Sequence, residues 1–275
     1  MPVTRINGVN LYWELSGSLG DPLVFVHGSW GDHHGWDQIV PGLARSFRVL
    51  TYDRRGHSQS ERPTIQGSVR EDVADLAALI EHLDLAPAHI IGNSFGGSIV
   101  LRLAAELPDL FRSLQVHEPP LFKLIVNSAA QQTLQTFQER IAVVIELVEK
   151  GKFEAGARHF TDTIAFAPGA WEQFPNEVRQ TFIFNAATFL DEGRDPESLS
   201  LDLQALANFT QPALLTQGDQ SAPFFSLALD EVAPAIPQAQ RRTLAGIGHV
   251  PQATHPEKYI EVVTSFIRTA NPRSA

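Results

Sequence analysis

The 275-residue chain contains no cysteine. That absence excludes disulfides, thiolate metal sites and a cysteine nucleophile together, and leaves oxygen as the nucleophile of any covalent chemistry. Nowhere do 18 consecutive apolar residues occur, and the opening MPVTRINGVNLYWELSG has no apolar signal core. The expectation is therefore a cytoplasmic protein with no membrane partner. Acidic blocks are missing too: the net charge of −10 comes from scattered Asp and Glu, which favours solubility and argues against a nucleic-acid partner. There is no HExxH or comparable ligand cluster, His33 and His34 being merely adjacent, and no GxGxxG. Catalysis without metal or cofactor is expected. No internal repeat or low-complexity segment occurs.

What is present is ample for a buried core, since 43% of the residues are hydrophobic. From Val3 to Ser16 alternating residues flank Asn7 and Gly8, which predicts a β-hairpin. Leu23–Val26, Phe47–Tyr52, His89–Ile91 and Leu114–Val116 are short apolar runs of the kind buried on both faces of a parallel sheet. Between the middle two, Ser68 and Glu71 form a capping box for a helix reaching Asp84, with Val69, Val73, Leu76, Ile80 and Leu83 on one face. From Leu121 to about Ala207 strand alternation stops. Helical stretches take over at Thr133–Lys150, Phe153–Phe166 and Pro175–Leu190. Strands return at Ala213–Asp219 and Arg241–Gly246, with a helix at Phe225–Val232 between them and a tail helix at Pro256–Thr269. Strands alternating with helices predict a mainly parallel, doubly wound sheet.

The centre of this pattern is AHIIGNSFGGSIVLRLAAE, Ala88 to Glu106, where a strand-like run meets a helix-like one through a glycine-dense turn at Ser94. Gly92, Asn93, Ser94, Phe95 and Gly96 spell GxSxG. Small neighbours let such a turn hold a strained serine above the sheet edge, with the next N–H facing a developing oxyanion. The same serine would also serve as an ordinary helix cap.

Together with HGSWGD (His27–Asp32), YDRRGHS (Tyr52–Ser58) and GIGHVPQATHP (Gly246–Pro256), this turn resembles the α/β-hydrolase superfamily in order and spacing, over nearly the whole chain. The resemblance implies an eight-stranded α/β-hydrolase sheet, core residues 1–120 and 208–275, and a helical cap inserted at 121–207. It also implies Ser94 as nucleophile and His249, after the last strand, as base. His57 falls in a structural turn of the family, and His27 is read as a brace for its loop.

The acid is less regular. Most of the family carries a carboxylate three residues beyond a glycine after strand seven, but here that position is Ser221. Glu118, ending strand six in HEPP, and Asp219 are the substitutes. Glu118 is preferred, because Pro119 and Pro120 restrict its backbone and because HEPP is similar to the zearalenone-lactone hydrolases, which place a glutamate there. For the oxyanion hole, Phe95 supplies one N–H, and Ser29, or failing it Trp30, the other, their side chains being free to shape the pocket. Phe160, Phe166, Trp171, Phe182, Phe184 and Phe189 as a group suggest an apolar substrate chamber.

The expected activity is hydrolysis of apolar esters or lactones by Ser94, His249 and Glu118. The alternatives are carbon–carbon bond hydrolysis of the meta-cleavage type, which GNSFGG also resembles, and a non-catalytic binding protein on the same fold. The partner is a small apolar substrate, and a homodimer is left open.

Overall fold

The computed structural model describes residues 2–125 and 131–270. Asn7 and Gly8 both take positive φ, 44° and 86°, and join β1 (Val3–Ile6) to β2 (Val9–Ser16) with Ile6 opposite Val9. This twist matches that of paired strands, and Asn-Gly tolerates it where bulkier residues do not. The sheet continues with β3 (Pro22–Val26), β4 (Arg48–Tyr52), β5 (Ala88–Asn93), β6 (Phe111–His117), β7 (Ala213–Gly218) and β8 (Gln240–Leu244). Its eight strands run β1-β2-β4-β3-β5-β6-β7-β8. The β1/β2 and β2/β4 pairs are antiparallel and the others parallel.

Every residue of β3 is buried. Leu23 and Phe25 enter one core with Trp36, Ile39 and Tyr259, whereas Val24 and Val26 enter another with Leu50, Leu76 and Ile99. A strand sealed this way needs cover on both faces, so the apolar run lacks a polar face. On one side lie α1 (Val69–His82) and α2 (Phe95–Glu106). The capping box is present at the start of α1: Ser68 accepts from the Glu71 N–H, and the Glu71 carboxylate accepts from the Ser68 N–H. Such a cap contributes about 1 kcal/mol.

Between β6 and β7 the described residues are helical or irregular. They include α3 (Gln131–Glu149), α4 (Phe153–Phe160), α5 (Asn176–Asn185) and α6 (Thr188–Arg194). Beyond β7, α7 (Pro223–Val232) leads to β8, and α8 (Pro256–Ala270) covers the second face through Tyr259, Val263 and Ile267.

Two helices differ from their sequence expectation. The run Phe153–Phe166 stays α-helical only to Phe160, and a π turn follows over Thr161–Ala165, closed by Phe166 N–H donating to Thr161 O at 3.0 Å. The wider turn brings Ile164 and Ala165 to the cavity described below. The run Pro175–Leu190 breaks after Asn185, because the Asn185 side chain is taken by the core. Its amide donates to Trp30 O and Gly31 O at 3.1 and 3.0 Å, and its carbonyl oxygen accepts from Ser58 N–H at 2.7 Å.

Candidate active site

The turn between β5 and α2 holds Ser94 at φ 54° and ψ −126°, a conformation few non-glycine residues adopt. Neighbouring glycines make this possible. A Cβ on Gly96 would stand 2.1 Å from Val26 O, and one on Gly28 would stand 2.9 Å from Ser94 Cβ. Neither substitution fits without moving backbone, so β3 and its following loop pack directly under and beside the serine. Trp30, Ser58 and Glu118 also have positive φ, at 67°, 40° and 50°. Strain of roughly 1–3 kcal/mol at each such residue persists only where surrounding structure enforces it, and these residues cluster at the ends of parallel strands.

Glu118 follows β6 and is fully buried. Its Oε2 accepts from His249 Nδ1 at 2.6 Å, and its Oε1 accepts from Gly218 N–H at 2.7 Å. A carboxylate facing Nδ1 fixes the proton on that nitrogen and leaves Nε2 as the acceptor. The ring is further held by stacking on Phe225, with centroids 4.5 Å apart and planes at 19°. Asn93 Nδ2 donates to the His249 carbonyl at 2.9 Å, and Gln252 Nε2 donates in turn to Asn93 Oδ1 at 3.1 Å. His117, buried beside Glu118, has one ring nitrogen 3.2 Å from Gly248 O and the other 3.0 Å from Thr216 Oγ1. It ties the loop carrying His249 to the strands carrying Glu118.

Burial alone would raise the Glu118 acid, but the His249 hydrogen bond, the charges of His117 and His249 and the Gly218 N–H bring it from 4.5 down to about 2. A carboxylate with a depressed folded pKa stabilises the fold above its unfolded pKa and loses that contribution as pH falls through the folded value. Acid unfolding should therefore weaken the protein between roughly pH 4.5 and 2 by on the order of 3 kcal/mol from this group. Chemical denaturation at stepped pH checks this, with a shallower slope expected in Glu118→Gln. An unchanged slope would place the acid-labile group elsewhere.

Asp219 lies exposed after β7. Its Oδ1 accepts from Gly246 N–H at 2.8 Å and from Gln220 Nε2 at 3.0 Å, which accounts for it as a turn former. Its partners do not include His249 or Ser94. His57 does not line the serine's cavity: its Nδ1 donates to Arg55 O and its Nε2 meets Thr188 Oγ1, each at 3.0 Å. His27 accepts the Arg54 N–H on Nε2 at 2.9 Å and donates from Nδ1 to Gly28 O at 2.8 Å. Burial and the Arg54 charge keep its ring neutral, with a pKa lowered to about 3.

Ser94, His249, Ser29 and Phe95 share a solvent-connected cavity. As the first residue of α2, Phe95 has an N–H without an intrahelical acceptor. The Ser29 and Trp30 side chains, expected from sequence to be free, are engaged. Ser29 Oγ donates to Glu192 Oε2 at 2.5 Å, and the buried Trp30 ring packs on Phe160 and Phe189. The aromatic lining also differs from expectation. Phe160 and Phe189 line the cavity, but Trp171 is buried in the helical segment and Phe184 is 70% exposed. Phe122, Phe137 and Phe225 line it instead, and no helical periodicity pointed to them.

Sequence reasoning also missed a buried polar group at the cavity wall. Arg54 donates from Nε and Nη2 to Asp72 at 3.1 and 2.8 Å and from Nη1 to Glu192 Oε1 at 3.0 Å, while its guanidinium stacks 4.7 Å over the Phe95 ring. Asp32, His33 and Asp53 also converge, with ligand atoms within 4.8 Å of one another. The two carboxylates are occupied: Asp53 takes the His33 N–H, His33 Nδ1 and the Gln59 N–H, and Asp32 takes the His34 N–H and Ser58 hydroxyl. That bonding accounts for the group as a brace of the loop after β3. Among the described residues no helix is long and apolar enough to cross a membrane.

A mostly parallel sheet with a strained serine in the sharp turn between its fifth strand and the following helix defines an α/β protein with a GxSxG strand-to-helix turn. The chain belongs to the alpha/beta hydrolase fold family, whose model matches residues 21–256. It is 39% identical over 113 residues to the dihydrolipoyllysine-residue acetyltransferase component of the acetoin cleaving system of Pseudomonas putida, a match covering 41% of this chain and 30% of that one. It is 27% identical over 273 residues to the pimeloyl-(acyl-carrier protein) methyl ester esterase of Photobacterium profundum, covering 94% of this chain and 98% of that one. The chain spans 30%, 50% and 63% of three curated relatives it matches. The crystal structure of the enol-lactonase of Burkholderia xenovorans superposes with a TM-score of 0.78 at 22% identity, covering 97% of this chain and 99% of that one, a likeness of fold.

Proposed function

We propose that the protein is a serine hydrolase of carboxylic esters or lactones with apolar acyl or alkyl groups. The observation that carries this reading is the contact of His249 Nδ1 with Glu118, 2.6 Å, in a histidine that shares a cavity with the strained Ser94. A serine hydroxyl is a weak nucleophile near neutral pH and needs a base with a fixed tautomer. His249 takes the Ser94 proton on Nε2 as Oγ attacks the carbonyl carbon. The imidazolium that forms is stabilised by Glu118, and the oxyanion accepts from the Phe95 N–H and from that of Ser29 or Trp30. His249 then protonates the leaving alkoxide. Water, deprotonated by the same nitrogen, releases the acid and restores Ser94.

Residues 121–207 act as a cap over a core of 1–120 and 208–275, and the cap supplies the apolar wall from Phe137, Ile141, Phe160, Ile164 and Phe189. The methyl ester esterase and enol-lactonase among the similar proteins support the ester and lactone classes. Each buried methylene contributes about 0.8 kcal/mol. Along p-nitrophenyl acetate, butyrate and hexanoate, kcat/KM should rise, by up to roughly fourfold per methylene. A steady fall from acetate onward would remove the apolar-chamber reading. Loss of all p-nitrophenyl ester turnover in the wild-type protein would remove the hydrolase reading itself.

A further inference from the structure

Among the cavity's lining residues the polar ones are Ser29, Ser94, Glu192 and His249, and the proposed reaction leaves Glu192 without a chemical task. Glu192 ends in a buried carboxylate at the wall, where Oε1 accepts from Arg54 Nη1 at 3.0 Å and Oε2 accepts from Ser29 Oγ at 2.5 Å. Arg54 does not require it. The Asp72 carboxylate already takes Nε and Nη2 of the guanidinium, so the buried group holds one cation and two carboxylates. Burying a second anion against one cation is costly, and well-packed apolar residues are often at least as stable at such places. Burial accordingly raises the Glu192 acid, opposed by Arg54 and Ser29.

Position supplies a use for this charge. Ser29 belongs to the loop that abuts the nucleophile, since a Cβ on the preceding Gly28 would touch Ser94 Cβ. Glu192 Oε2 thus lies one side chain away from the place where the substrate carbonyl is held, in surroundings otherwise lined by phenylalanine, isoleucine and leucine. An oxygen bonded once by Ser29 retains a lone pair for one further donor. Resting on the serine-hydrolase reading, we infer that Glu192 is a specificity-determining residue that accepts a hydrogen bond from a hydroxyl or amide N–H on the carbon next to the scissile carbonyl. The substrate class is then an ester or lactone of an α-hydroxy or α-acylamino acid with an apolar side chain.

A glutamine at this position gives a sharp test. Arg54 donates only, so it claims the amide oxygen, and the NH₂ group must take the place of Oε2, where Ser29 Oγ accepts from it. Glu192→Gln therefore keeps the contacts across the wall but turns an acceptor into a donor. The probes are methyl 3-phenyllactate, methyl 3-phenylpropanoate and methyl 2-methoxy-3-phenylpropanoate, which differ only at the α-carbon. Wild-type kcat/KM should favour the hydroxy ester over the deoxy ester by roughly tenfold or more. In Glu192→Gln the NH₂ can donate to a hydroxyl and to an ether oxygen alike, so the hydroxy ester's lead over the methoxy ester should fall toward one. Calorimetric Kd values for the same esters on Ser94→Ala, with and without Glu192→Gln, read the same preference without turnover. A hydroxy-to-deoxy ratio within twofold in the wild-type background, an equal hydroxy-to-methoxy ratio in both backgrounds, or no binding of the hydroxy ester overturns the inference. Absent turnover with the binding preference intact overturns the hydrolytic reading and leaves the recognition by Glu192 standing.

Discussion

Ser94→Ala is expected to lower turnover of a short p-nitrophenyl ester by at least on the order of 10⁴-fold. The expectation comes from the local backbone more than from the GxSxG spelling. At φ 54° the residue costs strain whether it is serine or alanine, so the substitution changes the reactive atom and leaves that strain where it was. The backbone bonds that hold the turn, Ser94 N–H to His117 O at 2.8 Å and Gly97 N–H to Ser94 O at 2.8 Å, do not involve the hydroxyl. Melting temperature should therefore stay within a few degrees while hydrolysis disappears. A folded Ser94→Ala protein with wild-type turnover would sink the assignment of nucleophile.

Much of this arrangement was readable because it is local. The Asn7-Gly8 hairpin, the Ser68–Glu71 capping box and the glycines around Ser94 each depend on residues a few positions apart, where backbone rules act directly. The position of Glu118 was legible for a related reason: a carboxylate at the end of a buried strand, followed by two prolines, has few places to go. What sequence did not disclose is long-range polar pairing. Asn185 meets Ser58 across 127 residues, and Glu192 meets Arg54 across 138. Periodicity identifies the face of a helix that is buried but not the group it is buried against. The same limit explains the cavity lining. Phe122 lies at the start of the region expected to be a cap and Phe225 beyond its end, and only the packing around β6 and β7 brings both to the cavity of Ser94. The break after Asn185 follows too, since a side chain bonded by the core overrides a helix pattern that propensity alone would extend.

The choice between Glu118 and Asp219 yields the second large effect. Glu118→Gln is expected to lower kcat by roughly 10²- to 10⁴-fold with little change in KM. In the wild-type protein Glu118 accepts on both oxygens, from Gly218 N–H and from His249 Nδ1. A glutamine can meet the Gly218 donor only with its carbonyl oxygen, which turns its NH₂ toward His249. Two donors then face each other, and the imidazole escapes by moving its proton to Nε2, the nitrogen that must accept from Ser94. The base is lost although every side chain keeps its place, so substrate binding should change little. Asp219→Asn has no such consequence. Its Oδ1 accepts from Gly246 N–H and Gln220 Nε2, both of which an asparagine oxygen also satisfies, and activity should stay within roughly threefold of wild type. Steady-state kinetics of the two variants on one ester decides the matter. If Asp219→Asn loses as much as Glu118→Gln, or Glu118→Gln loses less than about tenfold, the buried Glu118–His249 contact positions a loop and the acid of the reaction lies elsewhere.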